Sequence, residues 1–469
     1  MPVSSGPGGA PGAGSPAGAT LHELRAALAA ALDGTGPAVL PVPADEPAPE
    51  RPGDVPDDVA LVVRTSGSTG APRDVLLSAA ALRASGEATA ARLGGHGRWL
   101  LALPPVHVAG VQVLVRSLLA GTEPAVLAPG PFRAESFERA VRGLDEAGGA
   151  ASGPLAGSVA AMPGGGVAGG GGVAGGGAGG VPGVPARRYT SLVPTQLHRL
   201  LASPGALAAL RTFDAVLVGG AATATGLLAD ARAAGVRVVT TYGMSETCGG
   251  CVYDGVPLDG VDVDVDPVDG RVLLAGPVLA TGYRDRPDLD AETFVVRDGR
   301  RWLRTGDLGE LVPVPPEGTS GPGGAGPGGA GQGRAAPGGA GPGWAGFPGP
   351  AGGRGLRVLG RADDVLVTGG AKVAPAAVER VLGALDGVAD VCVVGLPDPE
   401  WGQSVTAVLV LHPGARAPAP GDLRAAVARS LGHAAAPRAI VVVDSLPLRG
   451  PGKPDRAAVA RLAADRLGR

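Results

Sequence analysis

Short apolar runs that pass directly into glycine-rich or hydroxyl-rich segments recur along the chain. Residues 61–64 run into TSGSTGAPR, and FDAVLV at 213–218 runs into GGAATATG, a helical LLADARAAG and a second apolar run at 236–241. The second pattern predicts a β-loop-α-β unit. Such units build parallel sheets and place ligand loops at the carboxyl ends of the strands.

Beyond Gly360 the pattern restarts on a smaller scale, with apolar runs VCVVG, VTAVLVL and AIVVV separated by helical PAAVERVLGAL and GDLRAAVARSL. This predicts a separate α+β domain of ordinary size. The fold class is therefore expected to be α/β, with a large domain of mixed or parallel sheets and helices over 21–360 and a small domain over 361–469.

Glycine and proline are concentrated in two tracts, 146–186 and 315–355, and number 83 and 46 in the 469-residue chain. These tracts hold too few large apolar side chains to offset the entropy of ordering them. We expect both to be disordered insertions, and residues 1–20 to be a disordered N-terminus.

The net charge is −3, and no stretch clusters basic residues with aromatic ones. This argues against a nucleic-acid surface and a polybasic membrane contact. No apolar run approaches the roughly 20 residues that span a bilayer, and the N-terminus lacks the features of a signal peptide. We expect a cytoplasmic protein without membrane insertion; a homo-oligomer is left open.

Cys248 and Cys251 have the C-x-x-C spacing of metal and redox sites, but the chain has only three cysteines. Tetrahedral zinc needs four ligands, and no second Cys or His pair lies nearby. The two cysteines are expected to be loop residues.

Lysine is almost absent: of the 40 basic residues, only Lys372 and Lys453 are lysines. In a chain that otherwise uses arginine, a retained lysine indicates either a need for a compact, mobile ammonium in place of a planar fork or chance, and the neighbouring residues must decide.

The most informative segment is TSGSTGAPR, in which hydroxyls and glycines precede a cation. Glycine permits close backbone approach, so successive N–H groups can bind phosphate oxygens together with the hydroxyls. The segment is not a Walker A loop, because no Gly-Lys-Ser/Thr follows. The candidate phosphate-binding residues are Thr65, Ser66, Gly67, Ser68, Thr69, Gly70 and Arg73.

Four further motifs follow in order: YGMSET at 242–247, TGD at 305–307, GRADD at 360–364 and GKPDR at 452–456. Together the five motifs resemble the adenylate-forming superfamily of acyl- and aryl-CoA ligases, peptide-synthetase adenylation domains and luciferases. The resemblance runs from about residue 60 to the C-terminus. It implies an enzyme that uses ATP and Mg²⁺ to activate a carboxylate as an acyl-adenylate.

The resemblance also implies individual roles in the large domain. The phosphate loop would hold the β- and γ-phosphates. Tyr242 would lie against the adenine, Ser245 would contact the α-phosphate, and Glu246 would hold Mg²⁺. Asp307 would accept hydrogen bonds from the ribose hydroxyls, with Arg361 supporting the same region. The remaining nucleotide-site residues would be Gly219, Gly220, Ala221 and Gly243.

In the small domain, Asp363 matches the hinge about which this domain swings between two catalytic poses. Gly370 and Lys372 match the strand that lines the pantetheine tunnel in the second pose. Lys453 matches the lysine that bridges the carboxylate and the α-phosphate in the first pose. The resemblance thus makes Lys453, Glu246 and Ser245 the catalytic residues, and gives both lysines a role.

The phosphate segment departs from the family pattern in two positions. Arg73 stands where lysine is usual, and Asp74 stands where glycine is usual. Arginine still neutralises phosphate, and bidentately, so ATP use is expected to survive. A carboxylate near polyphosphate is unfavourable unless it points away.

The acid is suggested by LPPVHVAGVQVLVRSLLAG at 103–121, SLVPTQLHRLL at 191–201 and YGMSETCGGCVYDG at 242–255. These segments and the compact core resemble the o-succinylbenzoate-CoA ligase family of menaquinone biosynthesis, which uses coenzyme A. The resemblance places His107 at the mouth of the acyl pocket and Thr195 and Gln196 in its wall. Two alternatives stay open: another acyl- or aryl-CoA ligase or stand-alone adenylation enzyme, and an inactive nucleotide-binding homologue.

Overall fold

The computed structural model describes residues 20–43, 55–66, 72–128, 130–149, 187–314, 354–412, 414–449 and 453–469. Its helices are α1 Leu21–Leu32, α2 Ala79–Arg92, α3 Val108–Leu119, α4 Ala134–Gly149, α5 Pro194–Leu201, α6 Pro204–Leu210, α7 Thr225–Ala233, α8 Pro287–Thr293, α9 Pro375–Leu382, α10 Pro420–Leu431 and α11 Arg456–Arg466. Its strands are β1 Val59–Ser66, β2 Pro72–Ser78, β3 Arg98–Leu101, β4 Ala125–Val126, β5 Arg188–Leu192, β6 Ala215–Val218, β7 Val238–Met244, β8 Gly249–Tyr253, β9 Val256–Pro257, β10 Asp262–Val265, β11 Arg271–Ala275, β12 Gly282–Tyr283, β13 Phe294–Arg297, β14 Arg300–Pro313, β15 Arg354–Arg361, β16 Leu366–Thr368, β17 Ala371–Val373, β18 Val388–Asp398, β19 Gly402–Leu411, β20 Ala439–Val443, β21 Leu448–Arg449 and β22 Lys453–Pro454.

The largest sheet has seven strands in the order β4-β3-β5-β6-β7-β8-β9. From β4 to β7 neighbouring strands are parallel, and β8 and β9 continue the sheet antiparallel. The predicted unit of strand, helix and parallel strand is confirmed as β6, α7 and β7, with Leu217 opposite Val239. The carboxyl ends of β6 and β7 therefore present their loops at one edge of the sheet.

Two smaller sheets complete the large domain. The hairpin of β1 and β2 pairs with the short β12, which places Tyr283 opposite Val75. The other sheet has the order β10-β11-β14-β13, with β15 paired to the distal part of β14. In this second sheet Asp307 of β14 stands opposite Arg361 of β15, so two of the sequence motifs are cross-strand neighbours.

The small C-terminal domain is a sheet in the order β17-β16-β19-β18, with β20 parallel to β19. Alternation along β18 divides its side chains between two cores. Val391 and Val393 pack with α9 and α10 on one face, whereas Cys392 and Val394 pack with α11 on the other. This sheet, covered by helices on both faces, agrees with the predicted α+β domain.

The two glycine-rich tracts lie almost wholly outside the described residues, as do residues 1–19. At one end of each tract the structure differs from the composition-based boundaries. Helix α4 continues to Gly149, and β15 begins at Arg354, where Gly355 pairs with Val312. Backbone pairing to β14 orders residues whose side chains offer little to bury. Among the described residues, no helix is both long and apolar enough to cross a membrane.

Candidate functional site

Tyr242 and Asp307 are in direct contact. Tyr242 lies near the end of β7, and its hydroxyl donates a hydrogen bond of 2.8 Å to Oδ2 of Asp307. Burial and then the charge of Asp307 raise the pKa of Tyr242 well above its ordinary value, so the phenol stays protonated and acts as a donor. Two motifs that are separate in sequence therefore meet at the edge of the large sheet.

Arg361 extends this contact toward the small domain. Its Nη1 lies 3.6 Å from Oδ1 of Asp307, and its Nη2 lies 3.1 Å from Oδ2 of Asp363. A side chain on Gly306 would begin 2.8 Å from the guanidinium, so the glycine of TGD leaves the space that Arg361 occupies. Tyr242, Asp307, Arg361 and the predicted hinge residue Asp363 thus form one continuous line of polar contacts.

Glu246 lies in a 3-10 turn, Ser245–Thr247, directly after β7. Its Oε1 accepts a hydrogen bond of 2.7 Å from the hydroxyl of Tyr283. Burial, followed by the charge of Glu246, raises the pKa of Tyr283, and the nearby charge of Arg73 opposes this rise. Oε2 of Glu246 has no hydrogen-bond partner within the described part of the chain, so it is available to a hard cation.

The hairpin of β1 and β2 explains the unusual Asp74. Arg64 stands opposite Asp74 and binds it with two hydrogen bonds, Nε to Oδ1 at 2.9 Å and Nη2 to Oδ2 at 3.2 Å. Arg284 approaches the same carboxylate at 3.7 Å. Because neighbouring strand residues point to opposite faces, Asp74 points away from the face of Arg73. Its charge is neutralised by two arginines.

The predicted phosphate segment is described only at its two ends. Thr65 and Ser66 belong to β1, and the Thr65 hydroxyl donates to the carbonyl of Arg73 at 3.3 Å. Gly67, Ser68, Thr69 and Gly70 lie outside the described residues.

The predicted glycines of the nucleotide site follow β6 and end β7. A side chain on Gly219 would meet Thr241 Oγ1 at 2.2 Å, and one on Gly243 would meet the carbonyl of Gly249 at 2.0 Å. Gly220 has φ of +78°, which disfavours other residues. Gly219, Gly220 and Ala221 directly follow β6, Gly243 lies in the last part of β7, and Ser245 directly follows β7.

The three residues predicted for the acyl pocket lie at helix starts. His107 is exposed and precedes the first residue of α3, and Thr195 lies in the first turn of α5. Gln196 is buried; its Oε1 accepts from the Val193 amide and its Nε2 donates to the Ala102 carbonyl, both at 3.0 Å. Both ends of this amide therefore serve the local fold, and its contact with a substrate remains a prediction.

Two residues of α3 that the sequence analysis did not single out, Gln112 and Arg116, are one helical turn apart and almost fully buried. They are 1% and 5% exposed. The Arg116 guanidinium lies 5.0 Å from the ring centre of Trp99 and donates to the hydroxyl of Tyr253 at 3.2 Å. Among the described residues Arg116 has no ion pair, its Nε has no acceptor, and neither amide atom of Gln112 has a partner.

Gln112 lies against the turn that follows Glu246, since a side chain on Gly249 would meet its Cγ at 3.5 Å. A buried cation without a counterion is costly, because desolvation removes several kcal/mol of hydration. The signal in the sequence that could have indicated these two residues is the run VQVLVRSLL, in which a glutamine and an arginine lie four residues apart among apolar residues.

In the small domain Gly370 lies in the turn between β16 and β17, and Lys372 lies in β17. Gly369 and Gly370 both have positive φ, +54° and +80°, as a tight two-residue hairpin turn requires. Lys372 is exposed on β17. Lys453 lies in β22, paired with Arg449 of β21. The structure thus places the two lysines on different hairpins of this domain.

The expectation that Cys248 and Cys251 are loop residues is wrong in part. Cys248 ends the 3-10 turn with φ of +52°, but Cys251 lies within β8, and both are fully buried. Burial raises the pKa of Cys251 to about 12 and that of Cys248 further. They fill the core behind YGMSET because β8 packs against α2 and α3.

Two family models match the chain: AMP-binding enzyme over residues 18–145, and AMP-binding enzyme C-terminal domain over residues 377–453. A curated relative from Mycobacterium tuberculosis, named probable 2-succinylbenzoate–CoA ligase, is 41% identical over 95% of this chain and 96% of its own length.

Solved structures show the same fold. An amide bond synthetase from Marinactinospora thermotolerans matches with a TM-score of 0.61 and 24% identity, over 88% of this chain and 71% of that one. The o-succinylbenzoate CoA synthetase of Bacillus subtilis matches in complex with its acyl-adenylate intermediate (TM-score 0.56, 24% identity, 89% and 72% covered). It also matches in complex with ATP and magnesium ion (TM-score 0.55, 23% identity, 87% and 72% covered).

Proposed function

Because the chain belongs to the AMP-binding enzyme family, we propose that it is an ATP-dependent acid-CoA ligase that converts o-succinylbenzoate to o-succinylbenzoyl-CoA, a step of menaquinone biosynthesis. The name of the M. tuberculosis relative, which aligns over nearly the whole of both chains, supports this substrate. Because ATP and coenzyme A are intracellular metabolites, we propose that the enzyme acts in the cytoplasm.

The observation that supports the chemistry best is the hydrogen bond between Tyr242 and Asp307, with Glu246 in the turn that directly follows the strand of Tyr242. Asp307 has a fixed carboxylate that can accept from ribose hydroxyls beside the ring of Tyr242. Glu246 lies in the 3-10 turn that follows the strand of Tyr242, and its Oε2 has no hydrogen-bond partner in the part of the chain that the structure describes. A nucleoside and its phosphates would lie between these two carboxylates.

The substrate oxygen attacks the α-phosphorus of ATP, a P–O bond forms, and pyrophosphate leaves. Lys453 and the N–H groups of the phosphate loop would stabilise the negative charge that grows on the α-phosphate oxygens. Glu246 would hold Mg²⁺, which supplies positive charge near the phosphates when it is bound. After the small domain turns about Asp363, the coenzyme A thiol attacks the acyl carbon, and AMP leaves.

The choice of acid is supported by Arg116 and Gln112. o-Succinylbenzoate has two carboxylates, of which one is activated and the other stays ionised. A cation would stabilise the second carboxylate, and we propose Arg116 for this role because it is a buried cation without a carboxylate partner among the described residues. Gln112 lies one helical turn before Arg116, and its amide, which has no partner among the residues that the structure describes, could bind the ketone or the carboxylate.

The test is ATP–pyrophosphate exchange, followed by thioester formation with coenzyme A, using o-succinylbenzoate, benzoate and a medium-chain fatty acid. We expect o-succinylbenzoate to support both reactions far better than the other two acids. Equal or greater activity with benzoate or the fatty acid would contradict the assignment of o-succinylbenzoate as the substrate, but not the assignment of an ATP-dependent acid-CoA ligase. ATP binding without exchange for any acid would indicate an inactive homologue.

A further inference from the structure

Arg456, the last residue of GKPDR and the first of α11, makes five side-chain hydrogen bonds to residues of the small domain. Its Nη1 and Nη2 bind the two oxygens of Glu379 at 2.6 and 3.1 Å. Its Nε donates to Oδ2 of Asp364 at 3.1 Å, and Nη1 also donates to the carbonyl of Val393 at 2.8 Å. All nitrogens of the guanidinium are therefore engaged.

These partners join three separate elements. Glu379 lies in α9 and is 13% exposed; its Oε1 also accepts from the amide of Val393 in β18 at 2.8 Å. Asp364 ends the 3-10 turn Ala362–Asp364 and directly follows the predicted hinge residue Asp363. Arg456 thus links the first residue beyond the hinge to the body of the small domain.

Arg456 also lies three residues after Lys453, and the chain between them is held at both ends. Lys453 pairs with Arg449, and the amide of Asp455 donates to the carbonyl of Pro447 at 2.9 Å. Asp455 then caps α11 through a hydrogen bond of 3.0 Å from the Ala458 amide. The backbone that presents Lys453 is therefore attached to the hinge turn through one side chain.

We propose that Arg456 is a positioning residue that holds the Lys453 hairpin at a fixed place relative to the hinge. This inference rests on the proposed function, because it assigns Arg456 to the same adenylation step. Lys453 would act only when the small domain has brought it to the α-phosphate, and a misplacement of about 1 Å costs about 100-fold in rate. The bidentate ion pair of Arg456 with Glu379 limits such movement better than the pairing of β21 with β22 does, because each of these strands has only two residues.

The decisive variant is Arg456→Gln, assayed separately in the two half-reactions. We expect the maximal rate of adenylation to fall at least about 10-fold with an unchanged KM for ATP, because Lys453 is misplaced while the nucleotide site is intact. Thioester formation from supplied o-succinylbenzoyl-adenylate should stay within about twofold of wild type. Equal loss in both half-reactions would overturn the proposal.

The matched control is Arg424→Gln. Arg424 lies in α10 of the same domain and makes two hydrogen bonds, to the carbonyls of Pro437 at 2.9 Å and Arg438 at 2.8 Å, without contacting the hinge turn or α11. It should lower the melting temperature without slowing adenylation. If Arg424→Gln slows adenylation as much as Arg456→Gln does, the effect is general destabilisation and the proposal is wrong.

Two further measurements separate this inference from the proposed function. In a Lys453→Ala background, Arg456→Gln should cause no additional loss of adenylation, because residues that act through one another are not additive; an additive loss would contradict the proposal. Hydrogen exchange of peptides spanning 447–458 needs no substrate. Hydrogen exchange of these peptides should be faster in Arg456→Gln than in Arg424→Gln, even if no acid supports the pyrophosphate assay. Equal rates of hydrogen exchange in the two variants would overturn the inference.

Discussion

The hydroxyl of Tyr242 donates to the carboxylate of Asp307 across 65 residues of sequence, at 2.8 Å. Tyr242→Phe keeps the ring beside the proposed adenine site and removes this hydrogen bond to a charged acceptor, which is worth about 1.5–3 kcal/mol. We expect the KM for ATP to rise about 10-fold in pyrophosphate exchange, with the folded state intact.

The control for Tyr242→Phe is Tyr189→Phe. Tyr189 is also buried, and its hydroxyl donates to the carbonyls of Leu93 and Gly95, both at 3.0 Å, away from the candidate site. This variant should lower the melting temperature and leave the KM for ATP unchanged. An equal change of the KM for ATP in both variants would show that ATP binding does not depend on the hydrogen bond between Tyr242 and Asp307.

Glu246→Gln replaces a charged oxygen ligand with a neutral amide. We expect adenylation to slow and the Mg²⁺ concentration for half-maximal rate to rise, because Mg²⁺ prefers carboxylate oxygens. Tyr283→Phe is the matched variant, since it removes the hydrogen bond to Glu246 but keeps the carboxylate. It should change the Mg²⁺ requirement less; unchanged Mg²⁺ dependence in Glu246→Gln would exclude Glu246 from the metal site.

Lys453→Ala should slow adenylation by about 10²- to 10³-fold, the usual loss for one preorganised donor in a transition state. Thioester formation from supplied acyl-adenylate should continue at a near wild-type rate, because the rotated small domain has carried the lysine away. When the two half-reactions are measured separately, only adenylation should be slowed. Equal slowing of both half-reactions would refute the role of Lys453 in adenylation.

Two variants should show the converse pattern. Lys372→Ala removes the other lysine of the chain, in the strand β17 assigned to the pantetheine tunnel. Asp363→Pro restricts φ at the predicted hinge and hinders rotation after adenylation. Both should slow thioester formation more than pyrophosphate exchange, and the opposite order would disprove the two-pose assignment.

Arg116→Met exchanges a buried cation for an apolar side chain of similar length. Such exchanges are often neutral or stabilising when the charge lacks a partner. We expect an unchanged or higher melting temperature, together with a KM for o-succinylbenzoate at least about 10-fold higher. Discrimination against benzoate should fall in parallel. An unchanged KM for o-succinylbenzoate would show that Arg116 does not bind this substrate.

Asp74→Asn and Arg73→Ala test the two faces of β2. Asp74→Asn leaves Arg64 and Arg284 without their carboxylate, and should lower the free energy of unfolding by about 1–3 kcal/mol with little effect on the KM for ATP. Arg73→Ala should raise the KM for ATP and barely change stability. Urea unfolding and pyrophosphate exchange should be measured on both variants. A change of the KM for ATP in Asp74→Asn and of stability in Arg73→Ala would mean that Asp74 faces the nucleotide.

The sequence was sufficient for features that depend on local pattern. The β6, α7 and β7 unit follows from alternating apolar runs and turns, and Tyr242, Glu246 and Asp307 were selected as candidates from their motifs. The partners of these residues were not predictable, because they come from distant strands. Tyr283 meets Glu246 only because β12 pairs with β2.

The same limit applies to charge. Asp74 seemed unfavourable next to a phosphate loop, since its compensation depends on Arg64 across the hairpin and Arg284 far along the chain. Arg116 was not singled out from the sequence, because its burial depends on the packing of α3 against α2 and β3. A single sequence shows that a charge is present but does not show its surroundings.

The three cysteines of the chain are all fully buried. Burial raises the pKa of Cys251 and Cys392 to about 12 and that of Cys248 further, so none presents a thiolate to an alkylating reagent at neutral pH. The natural chain is therefore a suitable background for thiol-directed fluorescent dyes. Cysteines introduced at Val268, 92% exposed, and Val442, 42% exposed, would place a donor and an acceptor dye on the two domains. Energy transfer between them would then follow rotation about Asp363 during turnover.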